Sequence, residues 1–176
     1  MKEYVWDPVV RIFHWSLVVI FTALAVFIDP EGQLHVQLGY VIVALIMLRV
    51  AWGFVGTRHA RFRDFPPSLP AAMGQLRDIA TGRPSHQSGH TPLGALMIYN
   101  LIATILLIGL TGYLMLTPRF FGSEFMYEAH DLLVTWAEIS VLIHIAAVIW
   151  ESMRSGVNLP RAMISGYKTY KDKTGD

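Results

Sequence analysis

Four of the seven histidines, His14, His35, His130 and His144, stand in or at the edges of apolar segments of a chain without cysteine. His14 opens the first such run, His35 opens the second, and the last run carries both His130 and His144. Fourteen residues separate the last two. That spacing turns an α-helix through about 1400°, ~40° short of a whole number of turns, so the pair shares one face and stands roughly 21 Å apart along the axis. A titratable ring in hydrocarbon is costly and by default marks function. A zinc or copper site needs ligands that converge on one point, which this separation denies to His130 and His144. Two rings at each of two depths suit a different chemistry: axial ligation of two b-type haems.

The elements that must position these rings are membrane spans. Of the 176 residues, 53% are hydrophobic and 15% charged. Four apolar runs stand out, Ile12–Ile28, Val36–Gly56, Leu93–Leu116 and about Met126–Trp150, each near the ~20 residues that cross ~30 Å of hydrocarbon. Caps and breakers predict helices over about 9–28, 35–56, 92–116 and 126–151. A loop over 57–91 holds a short surface helix near 70–80, and a basic tail over 152–176 reads as interfacial or solvated. The expected fold is a single domain, an all-α four-helix transmembrane bundle, with no strand able to form a barrel. Ala23-Leu24-Ala25 resembles a small-x-small cleavage site, but Lys2 and Arg11 are mixed with Glu3 and Asp7, so the first run reads as an uncleaved span.

Charge sets the orientation. Lys2 and Arg11 precede the first run; Arg58, Arg61, Arg63, Arg77 and Arg83 follow the second; Arg154, Arg161, Lys168, Lys171 and Lys173 follow the fourth. The other two connections hold only Arg119. The positive-inside rule then puts both termini and the 57–91 loop in the cytoplasm. In that orientation His14 and His144 form an inner pair, and His35 and His130 an outer pair.

On the second helix Gly39 lies one turn from His35 and Gly53 five whole turns from it. Glycines also serve ordinary helix packing in membranes, but their shared phase with His35 favours clearance for a flat macrocycle at both levels. Arg49, on nearly the same face, needs an anion, which a haem propionate supplies, or an escape to the interface by snorkelling. Arg11, Arg58 and Arg61 are further propionate partners at the inner surface, or plain topological charge. His59, His86 and His90 fall in the loop and read as solvated or capping, with a quinone head group as a further role for His90. Met47, Met97 and Met115 are further axial-ligand candidates in principle, though methionine is ordinary in such helices. Glu138, ~80° off the His130 face, is the one feature of a proton relay. Phe120, Phe121 and Phe125 read as an interfacial aromatic belt.

These residues also fall into a familiar order. Val5-Trp6-Asp7-Pro8 with Arg11 and His14-Trp15, then Leu34-His35-Val36 with Gly39-Tyr40, Arg49 with Trp52-Gly53, and Gly56-Thr57-Arg58-His59-Ala60-Arg61-Phe62 come first. Gly89-His90-Thr91-Pro92-Leu93-Gly94, Glu128-Ala129-His130-Asp131 and Asn158-Leu159-Pro160-Arg161-Ala162-Met163 with Gly166 follow. In order and spacing the chain resembles the bacterial cytochrome b-561 family, in particular the di-haem cytochrome b subunits of the nickel–iron hydrogenase type. The resemblance spans nearly the whole chain. It implies a four-helix bundle in the bacterial cytoplasmic (inner) membrane holding two non-covalent, bis-histidine b haems on His14, His35, His130 and His144. It also implies electron passage between a membrane quinone (ubiquinone or menaquinone) and a redox partner such as a c-type cytochrome, with no role for nucleic acid. Quinol oxidoreductase activity is one form of that function. A haem-bearing structural anchor of a larger oxidoreductase complex and a haem-free proton-linked transporter are the alternatives.

Overall fold

The computed structural model describes residues 2–82 and 89–170. His86, with Arg83, Pro84, Lys171 and Lys173, lies outside the described residues. Among the described residues, six α-helices and two short strands follow one another as β1 (Lys2–Tyr4), α1 (Pro8–Val26), α2 (Gln33–Val55), α3 (Leu69–Ala80), α4 (Pro92–Met115), α5 (Glu124–Ser155), α6 (Leu159–Ser165) and β2 (Tyr167–Thr169). Local chemistry starts the helices. Asp7, Ser68, Thr91, Ser123 and Asn158 each accept a backbone N–H of the first turn, and all but Ser123 precede a first-turn proline, whose missing N–H costs nothing there. Gly156 and Gly166, at φ of 70° and 88°, end α5 and α6 in the left-handed conformation that suits glycine.

Four helices, α1, α2, α4 and α5, are long and apolar enough to cross a membrane, with mean hydropathy of 2.0 to 2.2. Their surface is turned outward. Phe54, Leu132 and Leu142 are each at least two-thirds exposed, an arrangement that water penalises and lipid does not. The sparse interior is Ile42, Ile46 and Ile105, with Phe13, Leu17, Ile20 and Leu24 of α1 packed against them. α5, at 32 residues, is about 48 Å long and overshoots the hydrocarbon layer.

The helices pack in chain order, α1 on α2, α2 on α4, and α4 most extensively on α5. Gly109 lets α4 approach α2, since a Cβ there would stand 2.3 Å from Val43 Cγ2. Between α4 and α5, Asn100 Nδ2 donates to Ser140 Oγ at 3.0 Å, and Trp136 Nε1 donates to Asn100 Oδ1 at 3.0 Å. Such side-chain bonds hold helices together where lipid removes the hydrophobic drive.

The first and last described elements, β1 and β2, are tied together at one end of the bundle. β1 pairs with β2 in antiparallel register, Lys2 opposite Thr169 and Tyr4 opposite Tyr167. Val5 N–H donates to Gly166 O at 2.9 Å. After Gly156 the chain folds into α6 and β2, and within it Lys168 is 6% exposed, its Nζ donating to Gly89 O at 2.9 Å. Nearby, Asp7 is buried and accepts from Val10 N–H (3.0 Å), Trp52 Nε1 (3.2 Å) and Thr57 Oγ1 (2.6 Å), joining the start of α1 to the end of α2. Burial pushes this carboxyl up, but the bonds from Thr57, Val10 and Trp52 outweigh it and hold its pKa below the usual value of 3.8.

Candidate functional site

The structure brings His35 of α2 and His130 of α5 face to face, with ring centroids 6.4 Å apart and planes at 65°. A metal-bound imidazole nitrogen lies about 2 Å from its metal and about 1.1 Å from its ring centre, so two rings on opposite sides of one metal stand roughly 6.3 Å apart. The observed spacing is compatible with two imidazoles on opposite sides of one metal. α2 and α5 are also among the helix pairs with little backbone contact.

Two residues of α4, absent from the sequence reading, shape the His130 ring. Thr111 Oγ1 lies within hydrogen-bond distance of Leu107 O (2.9 Å) and Ile108 O (3.0 Å), so its proton goes to the helix backbone. Its oxygen then accepts from His130 Nδ1, 3.0 Å away. That bond fixes the Nδ1–H tautomer and leaves Nε2 as the lone-pair nitrogen, the usual role of a partner behind a ligating histidine. Gly112 supplies the clearance: a Cβ there would lie 3.2 Å from His130 Cε1. The adjacent Thr111-Gly112 pair, a small polar step in an apolar helix, is the signal that points to them.

His14 of α1 and His144 of α5 stand on helices that again make little backbone contact. His14 and His35 each bury an Nδ1 with no hydrogen-bond partner. A buried ring nitrogen without a partner is rare in a folded protein and points to a group that the chain does not supply. Among the described residues, no three of His, Asp and Glu converge as a metal cluster, so side chains alone complete no four-ligand site there.

The residues around these pairs divide. Gly39 faces open space, with nothing within 4 Å of a Cβ built on it. Gly53 differs from the expectation of macrocycle clearance: a Cβ there would lie 2.2 Å from the Phe62 ring, so that ring fills its gap. Arg49 is 5% exposed and does not snorkel. Its guanidinium lies 5.3 Å from the Phe62 ring centroid, in the field of Asp7, and its Nη1 has no hydrogen-bond partner. Arg11 is engaged elsewhere, donating through Nη2 to Ile164 O at the end of α6; Trp15 Nε1 donates to Met163 O beside it.

His90 corrects another expectation, since it is not solvated. Its ring packs on Phe65 (centroids 4.2 Å apart) and Trp6 (4.7 Å) just before α4. Burial first, then the charges of Arg49, Lys168 and His59, push its pKa down to about 3. The unfolded chain therefore binds more protons than the folded one below the ordinary value of 6.5, and stability rises with pH through that window. The thermal midpoint in detergent is expected to drop as pH is lowered from about 6.5 towards 4, and the slope to shrink in His90→Phe; equal slopes would place the acid sensitivity elsewhere.

A family model for prokaryotic cytochrome b561 matches residues 5–166. Among curated relatives, the probable Ni/Fe-hydrogenase B-type cytochrome subunit of Cupriavidus necator is 28% identical over 215 aligned positions, covering 96% of this chain and 88% of the relative. The corresponding subunit of Rhodobacter capsulatus is 26% identical (96% and 82% covered), and the Ni/Fe-hydrogenase 1 subunit of Escherichia coli K12 is 23% identical (97% and 92%). The 215 positions exceed the 176 residues of this chain, so the Cupriavidus relative carries segments without a counterpart here. No solved structure matches the chain. Four apolar helices, paired histidines and a match over nearly the whole length make this chain a member of the prokaryotic cytochrome b561 family, a multi-pass membrane haem protein of electron transport.

Proposed function

We propose that the chain conducts electrons across a bacterial inner membrane through two b-type haems, one held by His35 and His130, the other by His14 and His144. The observation that carries this reading is the 6.4 Å separation of the His35 and His130 rings between helices that barely touch. The unpartnered ring nitrogens of His14 and His35 and the open space at Gly39 also fit the group. Haem iron, when bound, supplies reversible one-electron chemistry whose potential follows its ligands and surroundings.

The chain's own residues do the rest. Thr111 holds His130 in the tautomer that presents Nε2. Gly39 and Gly112 keep the second helix and the His130 ring clear of side chains. Arg49, buried with one nitrogen unpartnered, would take a haem propionate. Lys2, Arg58, Arg61, Arg63, Arg77, Arg154 and Arg161 gather at the end that holds both termini, which supports a cytoplasmic placement of that end. A membrane quinone, ubiquinone or menaquinone, meets one end of the path. A redox enzyme of the class named for the relatives, or a c-type cytochrome, meets the other.

The test is a reduced-minus-oxidised visible spectrum of the purified protein, with haem counted per chain, followed by reduction with a quinol. Two low-spin b haems that a quinol reduces are expected. Haem without quinol reactivity would leave a structural anchor of a larger complex, and a haem-free protein would overturn the reading. Thr111→Val is expected to weaken haem retention on dilution by about 10- to 100-fold; retention equal to wild type would remove Thr111 from the site.

A further inference from the structure

Glu138 is the only acid within the four spans that lies between the two histidine layers: α1, α2 and α4 contain no Asp or Glu, and residues 132–143 of α5 contain this one. It stands eight residues after His130 and six before His144, about 12 Å and 9 Å along the axis. It is partly buried, and among the described residues it makes no hydrogen bond or ion pair. The polar contacts of this stretch go instead to Ser140 and Trp136, which bind Asn100. A carboxyl placed at mid-membrane without a protein partner is functional by default, and its partner must be looked for.

Titratable groups on the surrounding elements are few. α4, packed along α5, offers the phenols Tyr99 and Tyr113; α1 offers Arg11 and His14; α2 offers His35, Tyr40 and Arg49; α6 offers Arg161; α5 itself adds His130, Asp131 and His144. No fixed cation among them bonds Glu138. The charge that changes on either side of it belongs to the histidine-bound groups. A ferric bis-imidazole haem core carries one positive charge more than the ferrous one, and in a low dielectric that difference acts over such distances with little screening.

We propose that Glu138 is a redox-linked proton site: its carboxylate takes one proton from water when a haem gains an electron from a reductant, and releases it on reoxidation. The O–H bond forms as the positive charge that favoured the anion is removed. Charge in the interior therefore stays nearly constant, and proton and electron affinities are linked reciprocally. This rests on the two-haem reading, and the test separates them.

The purified wild-type protein is reduced with dithionite and reoxidised with ferricyanide while infrared difference spectra are recorded in H2O and D2O. A protonated-carboxyl C=O band that grows on reduction, shifts in D2O and vanishes in Glu138→Gln is expected. In mediated redox titrations, each tenfold fall in proton concentration is expected to lower the wild-type haem reduction constant by up to about tenfold, with a smaller dependence in Glu138→Gln and the wild-type dependence restored in Glu138→Asp. If Glu138→Gln does not accumulate, the wild-type spectra decide: no carboxyl band on reduction of intact haems overturns the proposal and leaves the haems in place. Equal pH dependence in wild type and Glu138→Gln overturns it as well. Absence of haem from the wild type would instead overturn the two-haem reading beneath it.

Discussion

Replacing His130 by alanine is expected to halve the haem content, from two per chain to one, and His35→Ala to do the same. The double variant of these two should lose no more than either single change, because one ligand's loss already empties the site. His14→Ala and His144→Ala should behave as a second such set. Combining across sets, as in His14→Ala with His130→Ala, is expected to leave a protein without haem. The non-additivity within a pair and additivity between pairs is the signature of groups that act as units. Haem per chain by pyridine haemochrome, beside a thermal midpoint in detergent, checks it. One residual haem in the cross-pair variant would mean that the histidines are partnered differently from the 6.4 Å contact of His35 with His130.

Asp7→Ala is expected to destabilise the fold by about 2–4 kcal/mol. The change removes a helix cap, which costs about 1 kcal/mol. It also strands Trp52 Nε1 and Thr57 Oγ1, part-buried donors to this carboxylate, at about 1–3 kcal/mol between them. Asp7→Asn should lose less, since the amide oxygen still accepts, but only the carboxylate can serve all three donors with full charge. The folded pKa of Asp7 lies below 3.8, so its contribution is complete above that value and disappears as pH falls through the folded pKa. Wild type and Asp7→Ala should accordingly converge in stability at strongly acid pH. A midpoint difference that is constant from pH 7 down to pH 2 would show that packing, and not the charge of Asp7, holds α1 to α2.

Local chemistry made the helices legible. Thr91-Pro92 and Asp7-Pro8 state their own caps, and hydrophobic length marks the four spans. Helix periodicity also set the depth of the histidines. What the chain does not announce is the contact made across long separations. Ser123 starts α5 without a proline to flag it. β1 and β2 are three residues each, too short for alternation to show, and exist because they pair with each other. His90 reads as a loop residue until Trp6 and Phe65, from 84 and 25 residues earlier, close around it. Gly53 illustrates the limit of phase arguments: its phase is that of His35, yet a ring from the following loop takes its space.

The clasp between the chain ends has a consequence for how the molecule is made. Residues 159–169, which supply Ile164, Gly166 and Lys168 to the partners of α1, β1 and Gly89, are synthesised after all four spans. At 5–20 residues per second the ribosome needs roughly 8 to 30 s to travel from Arg11 to Ile164. Throughout that interval α1 is held at its N-terminal end by the bonds of Asp7 with Trp52 and Thr57 and lacks the contacts that α6 and β2 add. The fastening of the two chain ends therefore forms last, after every span has been made.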